Sequence, residues 1–376
     1  MTPRVAGARQ AASRLLSTLT IVINSRYREA PRPSDSGLRL ASSVTTRTAR
    51  TRSLSAAALL GAAALALSAC SGPGAASGAS DDSGLVSIVA STNVYGDLAQ
   101  SIGGDLVEVT SIIDSPEKDP HEYEATARDQ LAVSDAQLVI ENGGGYDPFI
   151  DTMIDASGSE APVVTATVVA GLEDEHEGEE HSEEEGAEEE GHSDEDGHEH
   201  AAYNEHVWYD LAVARDVATG IADELSSIDP DNASTYSANA DALTADLDAL
   251  IEREQELKGT LQGRSIAITE PVPLYMTEAL GLVDATPEEF SEAIEEGTDV
   301  PATLLQETLA LFSDGAVDAL VYNAQTSDAQ TEAVLEAAKA AGIPEVAVTE
   351  TLPDGEGGYV GWMTANLDAV EGALSS

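Results

Sequence analysis

The sequence predicts an α/β fold: two halves with parallel sheets, separated by one long helix. Three observations carry this reading. Short apolar runs rich in β-branched residues alternate with helical patterns near both ends of the chain. Between these regions the run from Asn232 to Lys258 contains no Gly or Pro and carries apolar residues at helical spacing. The length of 376 residues suits two domains plus appendages.

The elements follow in order. "LVSIVAS" (85–91) reads as a buried strand, "NVYGDLAQSIGG" as a helix ending at two glycines, and "LVEVTSII" as a second strand. "ATARDQLAVSDA" is a second helix, "AQLVIENGGG" a strand running into a glycine loop, and "APVVTATVV" a further strand. "LAVARDVATGIADELSSI" then reads as a helix. Asp229 suits the N-cap and Pro230 the first position of the long helix that follows. Tyr236, Ala240, Leu243, Leu247, Leu250, Leu257 and Leu261 recur on one face of it. A helix of about 28 residues is about 40 Å long at 1.5 Å per residue. The α/β pattern resumes with "SIAIT" (strand), "LYMTEALGL" (helix), a helix over 301–311, "VDALVYN" (strand), "QTEAVLEAAKAAG" (helix), "PEVAVTE" (strand) and a helix over 361–374. The expected division is a 1–69 extension and leader, a 70–84 tether, an 85–228 lobe, a 229–262 linking helix and a 263–376 lobe.

Charge excludes one large class of function. The chain has 69 acidic and 17 basic residues, a net of −52, and a nucleic-acid partner would need the opposite sign. Ten of the 17 bases precede Ser53, and only Glu29 and Asp35 among the acids precede Cys70. Arg47, Arg50 and Arg52 followed by "SLSAAALLGAAALALSAC" have the shape of a secretory leader. The apolar run is too short for a bilayer core of about 30 Å. "LSAC" resembles a bacterial lipobox, which implies that Cys70 is acylated and becomes the mature N-terminus. The following "SGPGAASGASDDSG" reads as a flexible tether. Residues 1–43 fit no part of this plan. With its single Cys acylated, the mature chain has neither disulfides nor thiolate ligands.

The stretch from Glu173 to His200 holds 16 acids and 5 histidines: His176, His181, His192, His198 and His200. It has no fixed ligand spacing and no apolar residues to build a cage. Like charges repel, so it is expected to stay unfolded. Two readings remain open: a weak, multi-site cation collector, or a purely solvating insertion.

Two histidines lie outside that stretch. His121 stands in "DPHEYE", just beyond the second strand, where ligands of parallel sheets bind. His206 stands in "NEHVWYD", just before a helix. These motifs resemble those of the zinc/manganese ABC-transporter substrate-binding protein family. So do "ASTNVYGDLAQSIGGDLVEVTSII", "DQLAVSDAQLVIENGGGYDPF", the acidic His-rich insertion and "DPDNASTYSANADAL". The resemblance covers about residues 85–375. It implies two similar lobes joined by a long rigid helix, with a metal ion in the cleft and two protein ligands from each lobe. His121 and His206 match the family's ligand histidines. Glu270 stands where zinc-type members often carry His, and a carboxylate there resembles manganese-type members. Glu350 matches the fourth position, with Asp354 in reserve. Two imidazoles and two carboxylates suit zinc and, with bidentate carboxylates, manganese.

The function this implies is non-enzymatic. A lipoprotein anchored by its acyl chain on the outer face of the bacterial cytoplasmic membrane captures a divalent ion, Zn2+ first and Mn2+ next. It passes the ion to an ABC permease with a cytoplasmic ATPase. The rivals are a secreted zinc hydrolase and a surface metal-storage or adhesin protein. Against the hydrolase, "HEYEA" lacks the second His of H-E-x-x-H.

Overall fold

The computed structural model describes residues 84–116, 118–121, 123–172 and 203–375. Residues 1–83, including Cys70, and the acidic tract with its five histidines lie outside the described residues.

The first half runs β1 (Val86–Thr92), α1 (Asn93–Gly103), β2 (Val107–Ile113), α2 (Ala127–Asp135), β3 (Leu138–Glu141), α3 (Pro148–Ser157), β4 (Val163–Thr165), α4 (Ala166–Val169) and α5 (Leu211–Ile228). The long helix α6 spans Ala233–Leu261. The second half runs β5 (Ser265–Ile268), α7 (Leu274–Ala279), β6 (Val283–Asp284), α8 (Glu288–Glu295), α9 (Ala302–Ser313), β7 (Ala319–Asn323), α10 (Ala329–Ala341), β8 (Glu345–Val348) and α11 (Gly358–Leu374).

The two sheets repeat one topology. Their strand orders are β2-β1-β3-β4 and β6-β5-β7-β8, with every pairing parallel. In each, the chain moves one way from the first strand and the other way to the third. The carboxyl ends beside that reversal form the crevice where ligands bind in open α/β sheets. The expected α/β fold with two parallel-sheet lobes and a long joining helix is therefore present.

Local chemistry sets the helix ends. Thr126 and Asp129 form a capping box for α2, Asp328 and Thr331 one for α10, and Asp210 accepts from the backbone of Ala212 and Val213 to cap α5. Several boundaries differ from expectation. α6 begins three residues beyond Pro230, and the Asp229 carboxylate accepts from the Asn232 amide and the Tyr236 hydroxyl and braces the α5–α6 turn. "APVVTATVV" divides into β4 and the single turn of α4. Helices α3 and α8 and strand β6 carry no element expected from sequence; β6 is two residues long, too short for a periodic signal.

Helix α6 packs along α5, α1 and α11 and reaches α7, so it joins the two halves through one continuous core. Its buried face reads Tyr236, Ala240, Leu243, Leu247, Leu250, Glu254, Leu257 and Leu261. The alternating spacing of four and three is the helical stripe expected from sequence. Glu254 alone in that stripe is charged. Burial, with the charge of Asp210 second, pushes its carboxyl up to about 8. A raised carboxyl favours the folded state below the unfolded value of about 4.3, and that contribution is lost as pH rises through about 8. Glu254→Gln is therefore expected to stabilise the fold by about 1–2 kcal/mol at pH 9 after solvent screening, and to change its stability little at pH 4, below the unfolded value. Thermal melts at the two pH values check this. Among the described residues, no helix is long and apolar enough to cross a membrane.

Candidate metal site

The site forms where the segments after the strand ends converge. His121 lies in the segment from β2 to α2. Its backbone N–H donates to Asp119 at 2.9 Å, and Lys118 braces the same segment by donating to the Ile112 carbonyl at 2.7 Å. His206 lies between β4 and α5 and is fully buried. Asn204 fixes its ring: the amide oxygen stands 2.7 Å from Nδ1 and also accepts from the His206 backbone at 3.1 Å. An amide oxygen only accepts, so Nδ1 carries a proton and Nε2 faces the site.

Nitrogen and oxygen donors from both halves meet there. Ligating atoms of His121, His206 and Glu350 all lie within 4.8 Å of one another, as do those of His121, Glu205 and Glu295. Glu295 Oε1 stands 3.2 Å from His121 Nε2 and 3.1 Å from His206 Nε2. Glu350 follows β8, and its backbone and that of Thr351 donate to the Gln325 side chain. Glu270, just past β5, is buried and accepts from the Asn323 amide. It is close enough to feel the charges of Glu295 and Glu350 but belongs to neither close group. Asp354, the reserve for the fourth position, is exposed.

An aromatic wall backs the histidines. The Tyr146 ring meets His121 edge-on at 5.2 Å, Trp208 meets His206 at 5.1 Å, and Tyr146 and Trp208 lie 4.6 Å apart. Tyr146 is placed by the turn after β3, where Gly143, Gly144 and Gly145 have φ of 79°, 69° and 87°. A Cβ at Gly144 would come within 3.0 Å of the Tyr203 hydroxyl. The turn closes because the Asp147 carboxylate accepts from the backbone of Asn142 and Gly143, at 2.6 and 2.9 Å.

Burial and mutual charge shift His121, His206, Glu270, Glu295 and Glu350. Burial disfavours the His206 imidazolium, but Glu295, Glu205 and Glu350 outweigh it and push the group up to about 9. His121 is likewise raised: burial opposes its charge, and the hydrogen bond and charge of Glu295 prevail. Burial also disfavours the Glu295 carboxylate, yet the two imidazoles hold it well below the usual carboxylate range. Glu270 and Glu350 are raised, to about 8 and about 7, by burial first and by the charge of Glu295 second. A dication placed among these groups would take over the role of the two imidazolium protons.

The lobes are tied together around this site. Asn93 donates to the Leu352 carbonyl at 2.8 Å and accepts from its N–H at 3.0 Å. Tyr209 donates to the Thr349 carbonyl at 2.6 Å, and Tyr275 to the Asn204 carbonyl at 2.7 Å. A family model described as zinc-uptake complex component A, periplasmic (ZnuA), matches residues 88–373.

The chain belongs to the ZnuA family.

Manganese-binding lipoprotein MntA of Halalkalibacterium halodurans is 28% identical over 248 residues, 62% of this chain and 74% of that protein. Manganese ABC transporter lipoprotein PsaA of Streptococcus pneumoniae is 27% identical over 249 residues, 61% and 72% of the two chains. Among solved structures, the periplasmic zinc-binding protein TroA of Treponema pallidum matches with TM-score 0.61 at 20% identity, over 77% of this chain and 99% of that one. A ZnuA crystal structure matches with TM-score 0.58 at 24% identity, over 77% and 99%. These structural likenesses carry the two-lobe fold and its long helix. Membership in the ZnuA family makes the chain a metal-transport binding protein and not an enzyme.

Sequence reading missed Glu205 and Glu295. Glu205 adjoins His206 in "NEHVW" and had that adjacency as its signal. Glu295 sits in the last turn of α8, whose Phe290 and Ile294 are buried at an i, i+4 spacing. An acid at the negative end of a helix is unfavourable by about 0.3–1 kcal/mol, which was the available clue. In a chain with 69 acids it does not stand out.

Proposed function

We infer that this ZnuA-family protein is an extracytoplasmic receptor that captures one divalent metal ion between its lobes and passes it to an ABC permease with a cytoplasmic ATPase. The observation that carries this is the convergence of His121 and His206 from before α6 with Glu350 from after it, within 4.8 Å. We assign His121, His206, Glu350 and Glu270 as the ligands. Binding across the cleft ties the lobes together. Two carboxylates balance the dication, so a buried complex costs far less than a buried bare ion. Zn2+ is the leading cargo, because two imidazoles with two oxygens suit its four-coordinate preference. Mn2+ is the second reading, favoured by the buried carboxylates and by the manganese proteins among the relatives. We assign Cys70 as the acylated anchor to the outer face of the membrane, supported by the lipobox and by relatives named as lipoproteins.

The tract 173–200 is read as an auxiliary collector. A ZnuA deletion mutant solved with zinc bound matches this fold with TM-score 0.59 at 22% identity. Titration calorimetry on the full chain and on a variant lacking 173–200 tests the reading. The deletion is expected to keep one tight equivalent and to lose weaker ones. Loss of the tight equivalent would move the primary site into the tract.

A further inference from the structure

We propose that Glu295 is a direct ligand of the captured ion, supplied by helix α8 in addition to the residues at the ends of β5 and β8. This rests on the receptor reading of the same site. Three observations support it.

The first is distance. Glu295 Oε1 lies 3.2 Å from His121 Nε2 and 3.1 Å from His206 Nε2. With metal–ligand bonds of about 2.0–2.2 Å, neighbouring donors in a tetrahedral or octahedral shell stand about 2.8–3.6 Å apart. Glu295 Oε1 therefore already stands at the spacing of a shell neighbour from each histidine nitrogen. An imidazolium–carboxylate hydrogen bond has the same spacing, so the arrangement can exchange protons for an ion with little movement.

The second is topology. The two sheets share one strand order, and His121 and His206 follow the edge strands β2 and β4 of the first. Their counterparts in the second sheet are β6 and β8. The segment after β8 supplies Glu350, and the segment after β6 is α8, which ends on Glu295. Each lobe thus delivers one donor from beyond each of its edge strands. Glu270 follows an inner strand, β5, whose counterpart β1 supplies no donor to either close group.

The third is cost. The Glu295 side chain is only 9% exposed and stands at the negative end of its helix. Both features oppose a charge there unless cations face it. Glu295 and Glu205 also line a cavity of about 290 Å³.

The experiment uses the mature chain, stripped of metal with a chelator. Affinities for Zn2+ and Mn2+ are measured by competition with a chromophoric chelator, and the visible spectrum of the Co2+ complex reports the donor set. Glu295→Gln keeps the size of the side chain but removes its charge and exchanges one acceptor oxygen for an amide donor. It is expected to weaken binding at least tenfold, Mn2+ more than Zn2+ because an anionic oxygen donor is lost, and to change the Co2+ spectrum. Glu296→Gln, an exposed neighbour carrying the same charge, is expected to leave both unchanged. Unchanged or tighter binding in Glu295→Gln overturns the proposal, as does weaker binding with the wild-type Co2+ spectrum; Glu295 would then be a counter-ion that the metal displaces. Metal-free melts that agree within a few degrees establish that the variant is folded, and Glu295→Asp provides a second charged variant if they do not. His121→Ala in the same assay separates the two levels. If it binds as wild type does, the receptor site itself is misplaced, whatever Glu295 does.

Discussion

Replacing His206 by alanine is expected to abolish the metal-dependent rise in melting temperature while leaving the metal-free protein folded. An ion that binds only the native state stabilises it by RT ln(1 + [L]/Kd), about 4 kcal/mol at a thousandfold excess over Kd. His206 is fully buried, oriented by Asn204, and directed at the site through Nε2. Its loss removes a nitrogen donor that no neighbour can replace, because the remaining close donors besides His121 are carboxylates. The same substitution removes one of the two imidazoles that face Glu295, so the metal-free variant is also expected to melt lower at neutral pH. His121→Ala is expected to act likewise on the metal-dependent part. Scanning calorimetry with and without Zn2+ reads both effects. A wild-type shift in both variants would remove the site assignment.

Metal affinity is expected to rise with pH across the window from about 6.5 to about 9, and the stability of the metal-free protein to fall. His206 is pushed up to about 9 in the folded state, against about 6.5 unfolded. A raised imidazole stabilises the fold fully below the unfolded value, and that contribution is lost as pH rises through the folded value. The size at stake is on the order of 2–3 kcal/mol. Glu270, pushed up to about 8, acts in the same direction: its neutral form is favoured by burial, and the advantage goes as the carboxyl ionises. Glu295 is lowered, so its contribution is present above the unfolded carboxyl value and is lost only in acid. An ion must displace the imidazole proton, so Kd is expected to fall about tenfold per pH unit for each proton released. Calorimetry in buffers of different ionisation enthalpy counts those protons directly. A pH-independent Kd over this window with no proton release would contradict the protonated His206–Glu295 pair.

The fold was legible wherever periodicity was long and clean. The stripe from Tyr236 to Leu261 predicted the buried face of α6, because a 29-residue helix gives many repeats of one pattern. Its start was misplaced because Asp229 and Pro230 fit the rules for a helix N-terminus, while local hydrogen bonds from Asn232 and Tyr236 engage Asp229 in the α5–α6 turn. Helix α8 was overlooked for the opposite reason: eight residues, half of them Glu, offer little apolar signal. That omission concealed Glu295. His121 and His206 were recognisable because histidine is scarce outside the acidic tract and both lie in distinctive motifs. Carboxylates are common in this chain, so motif position picked out Glu270 and Glu350, while Glu205 and Glu295 stand out through their convergence in the fold.

The central claim is that one ion sits between the lobes on His121 and His206. The most direct test is a crystal structure of protein purified without added metal, with anomalous differences collected on both sides of the zinc and manganese absorption edges. The account predicts one anomalous peak within about 2.3 Å of both Nε2 atoms, bounded by carboxylates from beyond α6, with the edge behaviour identifying the metal. A peak confined to the acidic tract, or one bound by a single lobe without His206, would contradict it.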